Sequence, residues 1–257
     1  MIGEYYRPDS VEKAVELLSA KGGNLRPLGG GTHLSRFQTD LQGVVDLQST
    51  GLEKIKVAGQ QIMVGATTCL DALMETPNLD AEITRAIRLD VSKNIRNMAT
   101  LGGWLVTSDA RSAFSTVLLA LDVTLTWEPN HVQVRMGDWL PIREMESPGV
   151  LLTEVEWDLR PNLVFEYVAR SPKDRPTLIV AVTQWGSGRT RVALGGFGPA
   201  PIIALDGPEG TGADVACRDA YFEAEDAWAS AAYRREVAPK LVVRCLERID
   251  AMKGSEA

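Results

Sequence analysis

Apolar positions along the first half of the chain follow two rhythms. Val11, Ala14, Val15 and Leu18 share one helical face, and Asp9 with Glu12 has capping-box spacing, so a helix is expected over 9–20. A short run from Leu25 to Leu28 leads into Gly29, Gly30 and Gly31, and Val44 to Leu47 follows as a second strand after a polar stretch. Ile55 to Val57 and Ile62 to Val64 read as a hairpin turned at Gly59. Thr68 is expected to cap a helix from Cys69 to Glu75, and Asp80 to Leu89 forms another. Polar residues from Ser92 to Asn97 then approach a second glycine cluster at Ala99 to Gly103. Ser112 to Leu121 is an apolar helix candidate. Val123 to Trp127 and Val132 to Met136 pair around Glu128-Pro129-Asn130, and Leu151 to Trp157 is a further strand.

After Arg160-Pro161-Asn162 the pattern changes. Phe165 to Ala169, Ile179 to Trp185, Thr190 to Gly196 and Ile202 to Leu205 read as an antiparallel meander, with Gly186-Ser187-Gly188 as one hairpin loop. Tyr233, Val237, Leu241, Cys245 and Ile249 form the stripe of a closing helix, which Pro239 either kinks or starts. The expected organisation is a first domain over 1–160, split into subdomains of about 1–57 and 58–160, and a second over 161–257. The fold class is α+β.

Composition narrows the function. The 257 residues carry a net charge of -7, which disfavours a nucleic-acid partner. Cys69, Cys217 and Cys245 are too few for a disulfide framework or a four-thiolate iron–sulfur cluster, so any such centre must lie on another chain. The amino-terminal stretch has no apolar signal core and no run approaches a membrane span, so a cytoplasmic location is expected.

The segment Leu28-Gly29-Gly30-Gly31-Thr32-His33-Leu34 is either an ordinary flexible turn or a place where bare N–H groups meet phosphate oxygens. No Gly-Lys-Ser/Thr follows, which excludes a P-loop, and the dinucleotide fingerprint fails because its third glycine would fall at Leu34. Asp46 is then a decoy for a ribose-binding acid. The second cluster, Thr100-Leu101-Gly102-Gly103, changes the reading, because two such loops can clamp one diphosphate.

Together these segments resemble the flavoprotein (medium) subunits of molybdenum hydroxylases such as carbon monoxide and xanthine dehydrogenases. Tyr6-Arg7-Pro8 with Ser10, Val11, Glu12 and Ala14 is similar to the family's opening, and Ile95-Arg96-Asn97 to the approach to its second loop. Leu118 to Asp122, Gly149 to Val155, Arg191 to Pro201 and Tyr233 to Pro239 extend the likeness over nearly the whole chain. The resemblance implies an FAD-binding domain of the PCMH/VAO type, made of two subdomains and followed by a small α+β carboxy-terminal domain. It implies FAD contacts from Leu28 to Leu34, from Thr100 to Gly103, and at Trp104, Asp109 and Leu151. It also implies a molybdopterin-binding large subunit and a [2Fe-2S] small subunit as partners, in a dimer of heterotrimers. The implied role is to take electrons from the iron–sulfur clusters and pass them to an external acceptor, with no catalytic acid or base and no metal on this chain.

Departures from the family matter as well. Trp104 stands where the family has Asn, Ala113 replaces an Asp on the flavin side, and a lysine after the boundary is replaced at Glu166 or Tyr167; the segment from Val134 to Val150 is short. Trp104 either stacks on a ligand ring or fills its space. An alternative reading is therefore a flavin-poor or flavin-free subunit that serves as an assembly scaffold. His33 reads as a loop residue, His131 as a turn residue and Cys69 as a small apolar filler, while Asp109 and Arg111 either contact the cofactor or pair on the surface.

Overall fold

The computed structural model describes residues 3–20, 25–36, 42–145, 150–172 and 174–256. The first elements are β1 (Glu4–Tyr6), α1 (Val11–Ala20), β2 (Leu25–Leu28), β3 (Gly43–Asp46), β4 (Ile55–Ala58), β5 (Gln61–Gly65) and α2 (Leu70–Met74). Then come α3 (Ala81–Asp90), α4 (Lys93–Arg96), α5 (Leu101–Thr107), α6 (Ala113–Ala120), β6 (Thr124–Glu128), β7 (Val132–Arg135), α7 (Met136–Trp139) and β8 (Leu151–Asp158). The chain closes with β9 (Asn162–Val168), β10 (Leu178–Gln184), β11 (Thr190–Gly195), β12 (Ile202–Gly207), α8 (Ala213–Ala220) and α9 (Ala231–Glu256).

The chain groups into two compact units, each drawn from more than one stretch of sequence. The first comprises Met1–Asn78, Val91–Thr107 and Thr124–Trp157; the second comprises Leu79–Asp90, Ser108–Val123 and Asp158–Ala257. Helices α3 and α6 thus belong with the carboxy-terminal strands. Every residue of α6 is buried, so it must lie inside a unit, and it packs on β10 and β11, far along the chain.

In the first unit, β1, β3 and β2 form a parallel sheet. Ala14, Val15 and Leu18 of α1 are buried with Leu25, Val45, Leu47 and Leu151. The other sheet has the order β4-β5-β8-β6-β7, and Gly59 at φ +64 turns its first hairpin. Between β6 and β8 the register shifts: Thr126 pairs with Glu154 but Trp127 pairs with Leu152, leaving Thr153 as the extra residue of a bulge. Thr68 does not cap α2. Cys69 occupies that position without a side-chain capping bond, and the Thr68 hydroxyl is buried and unpartnered among the described residues.

The second unit contains the antiparallel meander β12-β11-β10-β9. Val180, Val182 and Val192 share its core with Cys217, Tyr221, Leu241, Cys245 and Ile249. Helix α9 continues on both sides of Pro239, which therefore does not start it. Tyr233, expected on the apolar stripe, is instead exposed.

Asp90 at the end of α3 closes the first turn of α6. Its carboxylate accepts N–H bonds from Ala113 at 2.8 Å and Phe114 at 3.0 Å, and an O–H bond from Ser112 at 2.5 Å. Burial raises its pKa to about 6, opposed by these bonds and by the charge of Arg175. A carboxyl raised above its unfolded value contributes stability that is fully present below the unfolded value and is lost as pH rises through the folded one. The stability difference between wild type and Asp90→Asn should therefore move against the wild type as pH rises through about 6. Urea unfolding of both proteins at intervals from acid to neutral pH checks this, and parallel pH profiles would refute it.

Candidate functional site

The first glycine cluster leaves the parallel sheet at the end of β2. The Leu28 carbonyl still accepts the Leu47 N–H at 3.0 Å, and the chain then turns through Gly31 at φ +68, a conformation costly for other residues. Ser35 N–H to Gly31 O and Arg36 N–H to His33 O, both at 3.0 Å, close the turn. Among the described residues, the N–H groups of Gly29, Gly30, Gly31 and Thr32 make no main-chain hydrogen bond. They form a set of donors held by a rigid turn, suited to an anion.

The second cluster is built differently. It opens helix α5, and three of its amides are already engaged: Leu101 N–H donates to Thr68 O at 2.9 Å, Gly102 N–H to Ala66 O at 2.8 Å and Gly103 N–H to Thr100 Oγ1 at 3.3 Å. Its glycines serve close packing. A Cβ on Gly102 would stand 2.8 Å from the Ala66 Cβ. The two clusters also touch each other. A Cβ on Gly30 would lie 1.5 Å from the Met98 carbonyl oxygen, and one on Gly29 would lie 2.6 Å from Thr100 Oγ1. Three amides of the second cluster are thus engaged within the fold, and the glycines of both clusters let the two segments pack closely.

Both clusters line a cleft of about 530 Å³ within the first unit, a volume in the usual range of small-molecule sites. Of the sequence-derived residues, Gly29, Gly30, Gly31, Thr32, His33, Leu34, Thr100, Gly102, Gly103 and Leu151 are on its walls. Leu28, Leu101, Trp104 and Asp109 are not. Leu28 is held in the sheet and Leu101 is wholly buried. Trp104 lies on α5 one step around from Gly103, whereas Val106 and Thr107, three and four residues on, share the cleft-facing side of that helix.

Walls that sequence reasoning missed are Arg26, Pro27 and Leu47 around the first loop, Ala66 and Thr67 under the second, and Trp127, Val150 and Leu152 on the strand side. The spacing of Gly103, Val106 and Thr107 was a usable signal once α5 is known to be a helix; Thr67 and Trp127 carried none. No described carboxylate lines the cleft, and Arg26 adds positive charge. Partial burial, then the charge of Arg36, holds the His33 imidazole below its ordinary pKa.

The remaining candidates have structural partners. Asp109 lies in the second unit, pairing with Arg175 at 2.9 Å and accepting the Arg111 N–H at 2.9 Å. The Arg111 guanidinium lies 4.3 Å from the Trp228 ring centroid. Ala113 is buried with its N–H on Asp90, and Glu166 pairs with Arg248 at 2.6 Å. Asp46 accepts the Tyr5 hydroxyl and the Gln48 N–H, and His131 faces Glu128 at 3.1 Å. Gly149 lies outside the described residues.

Residues 1–156 match the family model of the FAD binding domain in molybdopterin dehydrogenase. The carbon monoxide dehydrogenase medium chain of Afipia carboxidovorans is 29% identical over 279 residues, covering 96% of each chain. The protein YgfM of Escherichia coli K12 is 27% identical over 249 residues, covering 94% of each. The crystal structure of a Cu,Mo-CO dehydrogenase superposes with a TM-score of 0.81 at 25% identity, over 98% of this chain and 99% of that one. This chain, a mixed helix-and-sheet protein, belongs to the FAD-binding-domain family of the molybdopterin dehydrogenases and is an oxidoreductase subunit.

Proposed function

We propose that the protein holds FAD in the cleft of its first unit, accepts electrons from iron–sulfur clusters on a small partner subunit, and passes them to an external acceptor. The observation that carries this reading is the donor loop over the buttress formed by the second glycine cluster. The residues present fit the cofactor: Gly29, Gly30, Gly31 and Thr32 offer unengaged N–H groups to a diphosphate, and no described carboxylate opposes it. FAD, when bound, supplies the step between one-electron and two-electron chemistry. The chain's own residues position it. Gly30 and Gly102 allow the walls to close up, Thr100 orders the buttress, and Leu151 supplies apolar wall.

The partners in this reading are a molybdopterin-binding large subunit and a [2Fe-2S] small subunit, assembled as a dimer of heterotrimers in the cytoplasm. Three cysteines cannot supply the four thiolates of such a cluster, which supports placing it on a partner. No helix of the described residues is long and apolar enough to cross a membrane. Trp104 is not among the residues that line the cleft.

Purified together with its neighbouring gene products, the complex should show visible flavin absorbance near one FAD per copy of this chain. A colourless chain that still co-purifies stoichiometrically would overturn the FAD reading in favour of a structural assembly subunit.

A further inference from the structure

The cleft and the chain around it differ in charge. The whole sequence has a net charge of -7, which repels an anionic ligand, yet no described carboxylate lines the cleft. Arg26 and His33 are the only described wall residues whose side chains carry a charge in either protonation state. His33 is held below its ordinary pKa, by partial burial first and by Arg36 second, so it is largely neutral at pH 7. Arg26 is thus the one full charge on the described wall at neutral pH, and Arg36 stands near enough to be felt at His33.

The fold fixes where that charge sits. Arg26 lies on β2, an edge strand of the β1-β3-β2 sheet, in register with Val44. Its neighbour Leu25 is 2% exposed and packs with Ala14, Val15 and Leu18 of α1. Alternation along a strand puts Arg26 on the opposite face, where it is exposed. Three residues of extended chain, about 10 Å, separate it from Gly29. That distance is one Debye length at about 0.1 M salt, so the charge is felt at the loop amides without any fixed contact.

Resting on the FAD reading above, we propose that Arg26 is a specificity-determining residue of the cleft, selecting ligands by negative charge through its field rather than through a docked ion pair. The loop amides act at short range and set direction. The guanidinium supplies a positive potential that offsets, at the cleft, the repulsion due to the acidic chain. The ligand that gains most is the one with the most negative charge beside the loop, a diphosphate before a monophosphate.

The test is calorimetric titration of the full-length flavin-free chain with ADP and with FAD at about 0.1 M and about 1 M salt, between which the Debye length falls from about 10 Å to about 3 Å. Wild-type affinity for both ligands should fall as salt rises. Arg26→Gln should weaken both about two- to fivefold at low salt, the scale of an exposed charge pair, and should approach wild type at high salt. Arg26→Lys should follow wild type at both, because a field needs a point charge and not a planar fork. A loss in Arg26→Gln that is absent, or that is equal at the two salt concentrations as a packing role would make it, would overturn the proposal. So would salt-independent binding by wild type, or a loss in Arg26→Lys as large as in Arg26→Gln. A wild-type chain that binds neither ADP nor FAD would instead defeat the FAD reading, and this assignment with it.

Discussion

Gly30→Ala should empty the cleft of flavin. The added Cβ would lie 1.5 Å from the Met98 carbonyl oxygen and 2.5 Å from its carbon, and both are backbone atoms that no rotamer change can move. The donor loop must therefore lift off its buttress, and the N–H groups of Gly29 to Thr32 lose their alignment. Losing two charge-assisted bonds to a diphosphate corresponds to an affinity loss of about a hundredfold. Gly102→Ala should be milder, since its Cβ meets chiefly the Ala66 side chain at 2.8 Å. Gly186→Ala, with nothing within 4 Å, serves as the neutral control. The ratio of flavin to protein after purification ranks the three variants, and wild-type flavin content in Gly30→Ala would refute the assignment of this loop.

Arg234→Met should be the most destabilising single change in the second unit. Its side chain is wholly buried and donates to the carbonyls of Thr177 at 3.1 Å, Ala224 at 2.6 Å, Ala229 at 2.8 Å and Gly196 at 3.3 Å. It also forms a two-pronged pair with the Asp226 carboxylate, with both contacts at 2.9 Å. One guanidinium thus ties the start of α9 to the preceding loop and to the ends of two strands. Removing the charged partner from such a buried pair costs about 3–5 kcal/mol. Lysine is not a rescue, because an ammonium lacks the planar fork that reaches all these acceptors. Burial pushes the Asp226 pKa up, but the bonds from Arg234 and from the amides of Trp228 and Ala229 prevail and hold it below its ordinary value. That contribution is present above the unfolded pKa and is lost as pH falls through the folded one, so Arg234→Met should also flatten the acid limb of the stability curve. Chemical denaturation at neutral and acid pH measures both effects; a loss below about 1 kcal/mol would show that the buried network is dispensable.

Most secondary structure was legible because it is local. The stripe of Val11, Ala14, Val15 and Leu18, the hairpin around Gly59 and the meander after Pro161 each announce themselves within a few residues. The glycine turn after β2 was legible for the same reason, since three consecutive glycines mark a turn. Asp109 pairs with Arg175 and Trp104 is not among the residues that line the cleft, placements that local sequence does not encode. Thr68 showed the cap residue type, yet the first turn of α2 begins a residue later.

The sequence by itself determined the class of the protein, the strands and helices set by periodicity, and the glycine segment that turns the chain after β2. Tertiary structure decided the rest: that three amides of the second glycine cluster are engaged within the fold, that α3 and α6 pack with the carboxy-terminal strands, and that residues as distant in sequence as Arg26, Thr67 and Trp127 line one cleft. The physical reason is range. Backbone propensity and amphipathic spacing act over one or two turns of chain, whereas a Cβ-free contact between Gly30 and Met98, or a wall shared by Arg26 and Trp127, exists only after distant segments have packed.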